Sequence, residues 1–338
     1  MEIGENQVMR NLSIFVRSTA RLFVSATFAL IMASVACAQQ YPTRPLRMIV
    51  PYPPGASVDY TARLIGQKLG EALGQPVVID NRSGAGGVIA GEMAARAAAD
   101  GYTLFFGTPA SLCVAPAIRV KAPYDTLRDF APISRLVVNS QVIATLPGFP
   151  ASNIAELLQT ARAKPGGLSY ASVGIGSPQH LGMELLKARA KVDILHVPYK
   201  GGGPALTDVL SGRVHIYMGS IPGLLPQINE GKLKVLGIAG LRRSNVLPNV
   251  ATVAETIPGY EFVGTWYGIL APAKVAPAIV TRINEILNAT LRSEDTRRIL
   301  ISQGSEPSPS SVEEFTKFIR SDCPNWARAV KLANITPE

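Results

Sequence analysis

The side chains best equipped for catalysis or metal binding are His180, His196 and His215, with Cys113 and Cys323, and their spacing supports neither chemistry. The histidines lack the short intervals of a zinc or iron site. Ser177 and His180 stand close enough to suggest a nucleophile with its base. However, "GSPQH" before a helical pattern makes Ser177 a helix N-cap and His180 an ordinary residue of that helix. No C-x-x-C, G-x-S-x-G or G-x-x-x-x-G-K-[ST] occurs. We therefore expect no catalytic residue, no metal and no cofactor.

The glycine-rich stretch "VIDNRSGAGGVIAG" invites a dinucleotide reading. Gly84 and Gly86 fit a G-x-G-x-x-G fingerprint, but Ile89 occupies the position of its last glycine. No acid falls about twenty residues on, where a ribose would need one. The chemistry left to such turns is non-covalent. A strand that ends in a glycine turn and starts a helix presents unpaired N–H groups, which attract an anion.

Four further stretches share that design. In "VPYPPGASVD" the strand runs into prolines, Gly55, Ser57 as N-cap and a helix; in "FGTPAS" Thr108 is the N-cap and Pro109 the first helical residue. In "YASVGIGSPQH" Gly174 and Gly176 precede Ser177, and in "PYKGGGPALTD" three glycines precede Pro204. In a parallel sheet such turns share the carboxyl edge, where ligands of open α/β sheets bind. Glycine there lets a ligand approach the backbone.

Behind these turns the chain alternates short apolar strands with amphipathic helices, the pattern of βαβ units. The first helix carries an apolar stripe at Leu64, Ile65, Leu69, Ala72 and Leu73. "FAPISRLVVNSQVIATLPGF" reads as a crossing into a second lobe, which opens on a helix capped by Ser152, and the chain returns after "KLKVLGIAG". The expected division is a leader over 1–38, one lobe from 39–140 with 246–338, and a second lobe from 141–245.

The leader reading rests on Arg10, Arg17 and Arg21, the apolar run "LFVSATFALIMASVA" and the small-residue "ACA" site. It implies export to the periplasm. Cys37 is an alternative lipid-anchor site, although Ser34 stands where a lipobox prefers Leu. Export makes a disulfide permissible, so Cys113 and Cys323 either pair or remain buried thiols. The net charge of +9 is scattered and forms no patch with interleaved aromatics, which argues against a nucleic-acid partner.

At these turns the sequence resembles the extracytoplasmic solute receptors of tripartite tricarboxylate transporters, the Bug family. The matching stretches include "NRSGAGGVIAGEMAARAAADGYTL", "YASVGIGSPQHLGMELL", "VPYKGGGPALTDVLSGRV" and "LPNVATVAETIPGYEFVGTWYGILAPAKVAP". The resemblance implies an α/β fold of the type II periplasmic binding protein kind: two lobes, each a mainly parallel sheet flanked by helices, around a cleft. It implies no catalysis, a monomer, and a small carboxylate ligand held by two facing loops. Carried over, the first loop is Tyr52 to Asp59, with Gly55, Ala56 and Ser57 near the ligand. The second is Ser172 to Gln179, with Gly174, Gly176 and Ser177 closest. Ala56 departs from the family's usual Gly-Gly pair.

Other candidates stand beside bland readings. Asp59 holds a water or ligand amino group, or only steadies its helix start. Lys200 and Arg82 pair with a ligand carboxylate, or are solvated and loop-bracing respectively. Asp208 faces the cleft or solvent, and Trp266 is cleft wall or core. The expected partners are a small carboxylate and either membrane transporter subunits or a sensor kinase. A secreted hydrolase or isomerase using the same cleft is the alternative.

Overall fold

A computed structural model describes residues 41–335 apart from 56, 120, 261 and 263. The expected leader with Cys37, and the expected ligand contact Ala56, lie outside the described residues. Residues 45–338 group into one unit, to which everything below refers.

Eleven strands are present among the described residues: β1 (Leu46–Val50), β2 (Val77–Asn81), β3 (Thr103–Gly107), β4 (Phe130–Asn139), β5 (Gln141–Thr145), β6 (Ser169–Ser172), β7 (Leu195–Pro198), β8 (Ile216–Ser220), β9 (Lys234–Ala239), β10 (Thr265–Pro272) and β11 (Glu306–Pro307). They form two sheets, ordered β11-β4-β10-β3-β1-β2 and β7-β6-β8-β5-β9. The sheets are mixed where the sequence suggested mainly parallel ones. β1 pairs parallel with β2 and β3, and β6 parallel with β7 and β8. β10 runs antiparallel to β3 and β4, and β5 antiparallel to β8 and β9. Apolar runs buried on both faces look alike in either direction, so hydropathy does not reveal this.

The segment read as a crossing is β4 followed by β5, with only Ser140 between them. β4 belongs to the first sheet and β5 to the second. No helix intervenes, and β5 enters its sheet without the long crossover a parallel partner would require.

The helices are α1 (Ser57–Leu73), α2 (Val88–Ala95), α3 (Ala115–Ala117), α4 (Thr126–Asp129), α5 (Ile154–Ala163), α6 (Pro178–Ala190), α7 (Gly202–Leu210), α8 (Ile221–Asn229), α9 (Val253–Thr256), α10 (Pro277–Arg292), α11 (Glu294–Ser302) and α12 (Val312–Leu332). α1 buries Val58, Ala62, Ile65, Leu69 and Leu73. Ala72 of the expected stripe is exposed and Leu64 only half-buried. Val58 and Ala62 extend the apolar face toward the helix start, where Asp59 is buried as well. α5 is capped by Asn153, whose side chain accepts the Glu156 N–H at 2.9 Å, and not by Ser152 as expected.

α12 begins in a capping box between Ser311 and Glu314. It packs on a single π-turn at Ala110–Val114 and also on α6. Trp266 belongs to the core: it is fully buried, and its indole N–H donates to Asp322 on α12 at 2.7 Å. The Trp326 indole donates to the same carboxylate oxygen at 2.7 Å. Cys113 of the π-turn and Cys323 of α12 are joined by a disulfide. Of the two readings left open for these cysteines, the paired one holds.

Candidate functional site

Strands β1, β3, β6, β7 and β8 end at one cavity of about 720 Å³, and the helical turns that follow them begin there. All four glycine turns singled out in the sequence contribute to its lining. Tyr52 and Pro53 come from the first, and Thr108, Pro109 and Ala110 from the second. Gly176, Ser177 and Gln179 come from the third, and Lys200 with Gly201–Gly203 from the fourth. Gly86 of the dinucleotide-like stretch lines it as well.

The α6 start is built by local hydrogen bonds. Gly174 (φ 128°) and Gly176 (φ 75°) hold backbone conformations that a side chain would strain. Ser177 caps the helix, its hydroxyl accepting the His180 N–H at 3.2 Å, and Pro178 occupies the first helical position. The Ser177–His180 pair is thus a helix cap, not a nucleophile with its base. The His180 ring faces the other way and accepts the Gly176 N–H at Nδ1, 3.1 Å. In the first turn Pro178 has no donor and His180 is capped, which leaves the Gln179 N–H uncommitted among the described residues.

α7 starts differently. Its N-cap is Gly201 (φ 134°), which has no side chain to cap with, so the amides of Gly202 and Gly203 remain open at the cavity. Ser220 precedes α8 and gives no side-chain cap either. Three helix starts of the second sheet therefore meet one cavity, and each contributes partial positive charge. No Asp or Glu lines the cavity among the described residues, and Lys200, exposed at its rim, is the only formal charge.

Several expected contacts are committed elsewhere and do not line the cavity. Asp59 is buried, and its carboxylate accepts the Gly55 N–H, the Asn81 amide and the Arg63 guanidinium, each at 2.9 Å. Burial alone would raise this carboxyl, but those three partners outweigh it and hold it below the usual range. The Asn81 amide also donates to the Tyr52 carbonyl at 2.9 Å, so Asp59 and Asn81 together fix the first loop. Asp208 accepts from Tyr199 and Arg213 at 2.7 and 2.9 Å. Asp80 is bound by Arg47 and by Arg82, which braces its own loop at 2.8 Å. The Ser172 hydroxyl lies behind the third turn, 2.7 Å from His196 Nε2, and Gly174 lies behind the lining formed by Val173, Ile175 and Gly176. α1 starts at Ser57, whose side chain lies outside the described residues.

Thr108 caps the π-turn: its hydroxyl accepts the Ser111 N–H at 3.3 Å and its carbonyl the Leu112 N–H at 2.9 Å. Tyr52 reaches the same threonine; burial raises its hydroxyl and the Thr108 hydrogen bond partly offsets that.

Sequence reasoning missed Gln141, which is fully buried yet lines the cavity. Its amide donates to Thr265 Oγ1 at 3.0 Å and accepts from the Gln179 amide at 3.1 Å. Gln179 Oε1 is buried without a partner. Gln141 opens β5, Thr265 opens β10 and Gln179 lies in the first turn of α6, so this hydrogen-bonded chain joins a strand of each sheet to the α6 start. The polar break Asn139-Ser140-Gln141 between the apolar halves of "VVNSQVIA" is the signal that could have found it.

A two-sheet α/β fold with glycine turns from both sheets around one cavity is the architecture of a solute receptor of the type II periplasmic binding protein fold. The family model for the tripartite tricarboxylate transporter family receptor, TctC, matches residues 61–335, and the chain belongs to that family, one of solute-binding receptors and not of enzymes. It is 37% identical to protein BugT of Bordetella pertussis over 303 residues, 89% of this chain and 92% of BugT. An R. palustris protein solved with adipate is 34% identical with a TM-score of 0.80, covering 88% of this chain and 100% of that one. MatC from Rhodopseudomonas palustris with bound malate is 31% identical with a TM-score of 0.75, covering 86% of this chain and 100% of MatC. No helix among the described residues is long and apolar enough to cross a membrane.

Proposed function

We propose that this receptor captures a small carboxylate in the cleft and delivers it, in the periplasm, to the membrane subunits of a tripartite transporter. One observation carries the reading: three helix starts and Lys200 meet a cavity without any acidic side chain among its described lining residues. Each helix start adds on the order of 0.3–1 kcal/mol to an anion, and more once water is excluded. Direct hydrogen bonds from the Gln179, Gly202 and Gly203 amides bring the total toward micromolar affinity, about 8 kcal/mol. The adipate-bound and malate-bound relatives support the ligand class.

Two lobes, 39–140 with 246–338 and 141–245, would close over the ligand by bending near Ser140 and in the stretch between β9 and β10. Closure couples to binding because the ligand bridges groups from both sheets. Titration calorimetry with adipate and malate, each beside its uncharged diamide, tests the reading. The acids should bind and the diamides should not. Equal binding of an acid and its diamide would refute an anion site.

A further inference from the structure

Several of the cavity's polar side chains are bound by the protein itself. Gln141 already donates to Thr265 and accepts from Gln179. Thr108 is engaged by Ser111. Asp59 and Asp208, the acids nearest these turns that could read a hydroxyl or an ammonium, are held by their own partners and stay out of the lining. The open donors gather at the second sheet's helix starts, with Lys200 at the rim.

Most of the exposed wall is hydrocarbon. Val58, Val114 and Ile118 line it from the first sheet, and Val173, Ile175 and Leu206 from the second. Ile175 sits at the tip of the third turn with 68% of its surface exposed. A branched aliphatic side chain left wet at a cavity mouth gains most when an apolar group covers it.

We infer that the ligand is an apolar-bodied carboxylate, an alkyl or aryl acid with one or two carboxylates, and that tricarboxylates and polyhydroxy acids are discriminated against. The inference rests on the carboxylate reading above. Each buried methylene strengthens binding about threefold to fourfold. A ligand hydroxyl buried without a partner weakens it by about tenfold. A carboxylate set against the aliphatic wall, away from the helix starts and Lys200, would be an unpaired buried charge, which is more costly still.

Calorimetry of the purified chain with butyrate, hexanoate and octanoate, and with adipate, its tetrahydroxy counterpart galactarate, and citrate, tests this. Affinity should rise about threefold per methylene along the alkyl series. Adipate should exceed both galactarate and citrate by at least about a hundredfold, since several hydroxyls or a third charge are penalised at once. Ile175→Ser, in an exposed side chain that the fold does not need, should lower octanoate affinity severalfold and leave butyrate within about twofold. Galactarate or citrate binding as tightly as adipate, or a flat alkyl series, would overturn the inference and leave the anion site standing. Failure of every carboxylate to bind would remove both.

Discussion

Gly176 and Ile118 oppose each other across the cleft: a Cβ placed on Gly176 would stand 3.7 Å from Ile118 Cδ1 and 3.8 Å from Val114 Cγ1. The third glycine turn thus lies one methyl group away from the wall that follows β3. The backbone of Gly176 also has a φ of 75°.

Gly176→Val should therefore weaken carboxylate binding at least tenfold. A β-branched residue at this φ costs about 1–3 kcal/mol locally, and its methyl groups would occupy the gap. Calorimetry should show the loss, and circular dichroism should show an unchanged fold. Wild-type affinity would mean that the turn does not contact the ligand.

Gln141→Leu keeps the volume and removes the amide chain between Thr265 and Gln179. Two polar partners lose their bonds in a buried setting, a loss of about 1–3 kcal/mol in stability. Ligand affinity should fall about tenfold as Gln179 loses its orientation. Thermal melts with and without adipate separate the two effects: a ligand-induced shift equal to wild type would confine Gln141 to a structural role.

Replacing Cys113 and Cys323 together by Ala should lower stability by about 2–5 kcal/mol, because a loop spanning 210 residues is no longer closed. Val114 and Ala115, next to Cys113, line the cavity, so affinity should fall in parallel. Denaturant titration and calorimetry under reducing and oxidising conditions check both effects.

Acid should loosen the third turn. His180 and His196 stack at 4.1 Å, with Tyr170 against His196 at 4.8 Å. Glu184 accepts from Tyr170 and Lys187, and Ser172 bonds His196. Burial, with the neighbouring His180, takes the His196 imidazole down to about 4, and burial lowers His180 too. Both rings stay neutral in the fold after they would charge in the unfolded chain. Above the ordinary histidine range near 6.5 they exact no penalty; as the pH falls from there toward 4 the unfolded state gains protons first and stability declines. Once the pH is low enough to protonate His180 in the fold, its Nδ1 can no longer accept the Gly176 N–H, and affinity should then decline. His180→Gln and His196→Gln together should flatten the melting temperature across that window; an unchanged slope would exclude these rings.

The sequence revealed the glycine turns because their chemistry is local: Gly174, Gly176, Ser177 and Pro178 specify a strand end and a helix start without help from the rest of the chain. The commitments of Asp59, Asp80 and Asp208 were hidden. Arg47 and Asp80 lie on neighbouring strands, and Asn81 reaches Asp59 across 22 positions. The antiparallel return of β10 was equally silent, since "TWYGILAP" is buried throughout and reads the same in both directions. Gln141 escaped notice because it opens a strand at a junction with no glycine turn and no helix start to mark it.

Cys113 flanks the cavity wall and waits for a partner 210 residues downstream. While the chain is still growing, α12 is not yet available to brace that wall. The last helix to be made is thus the one that clamps a wall begun in the first half of the sequence, so a chain cut short before Cys323 lacks that clamp.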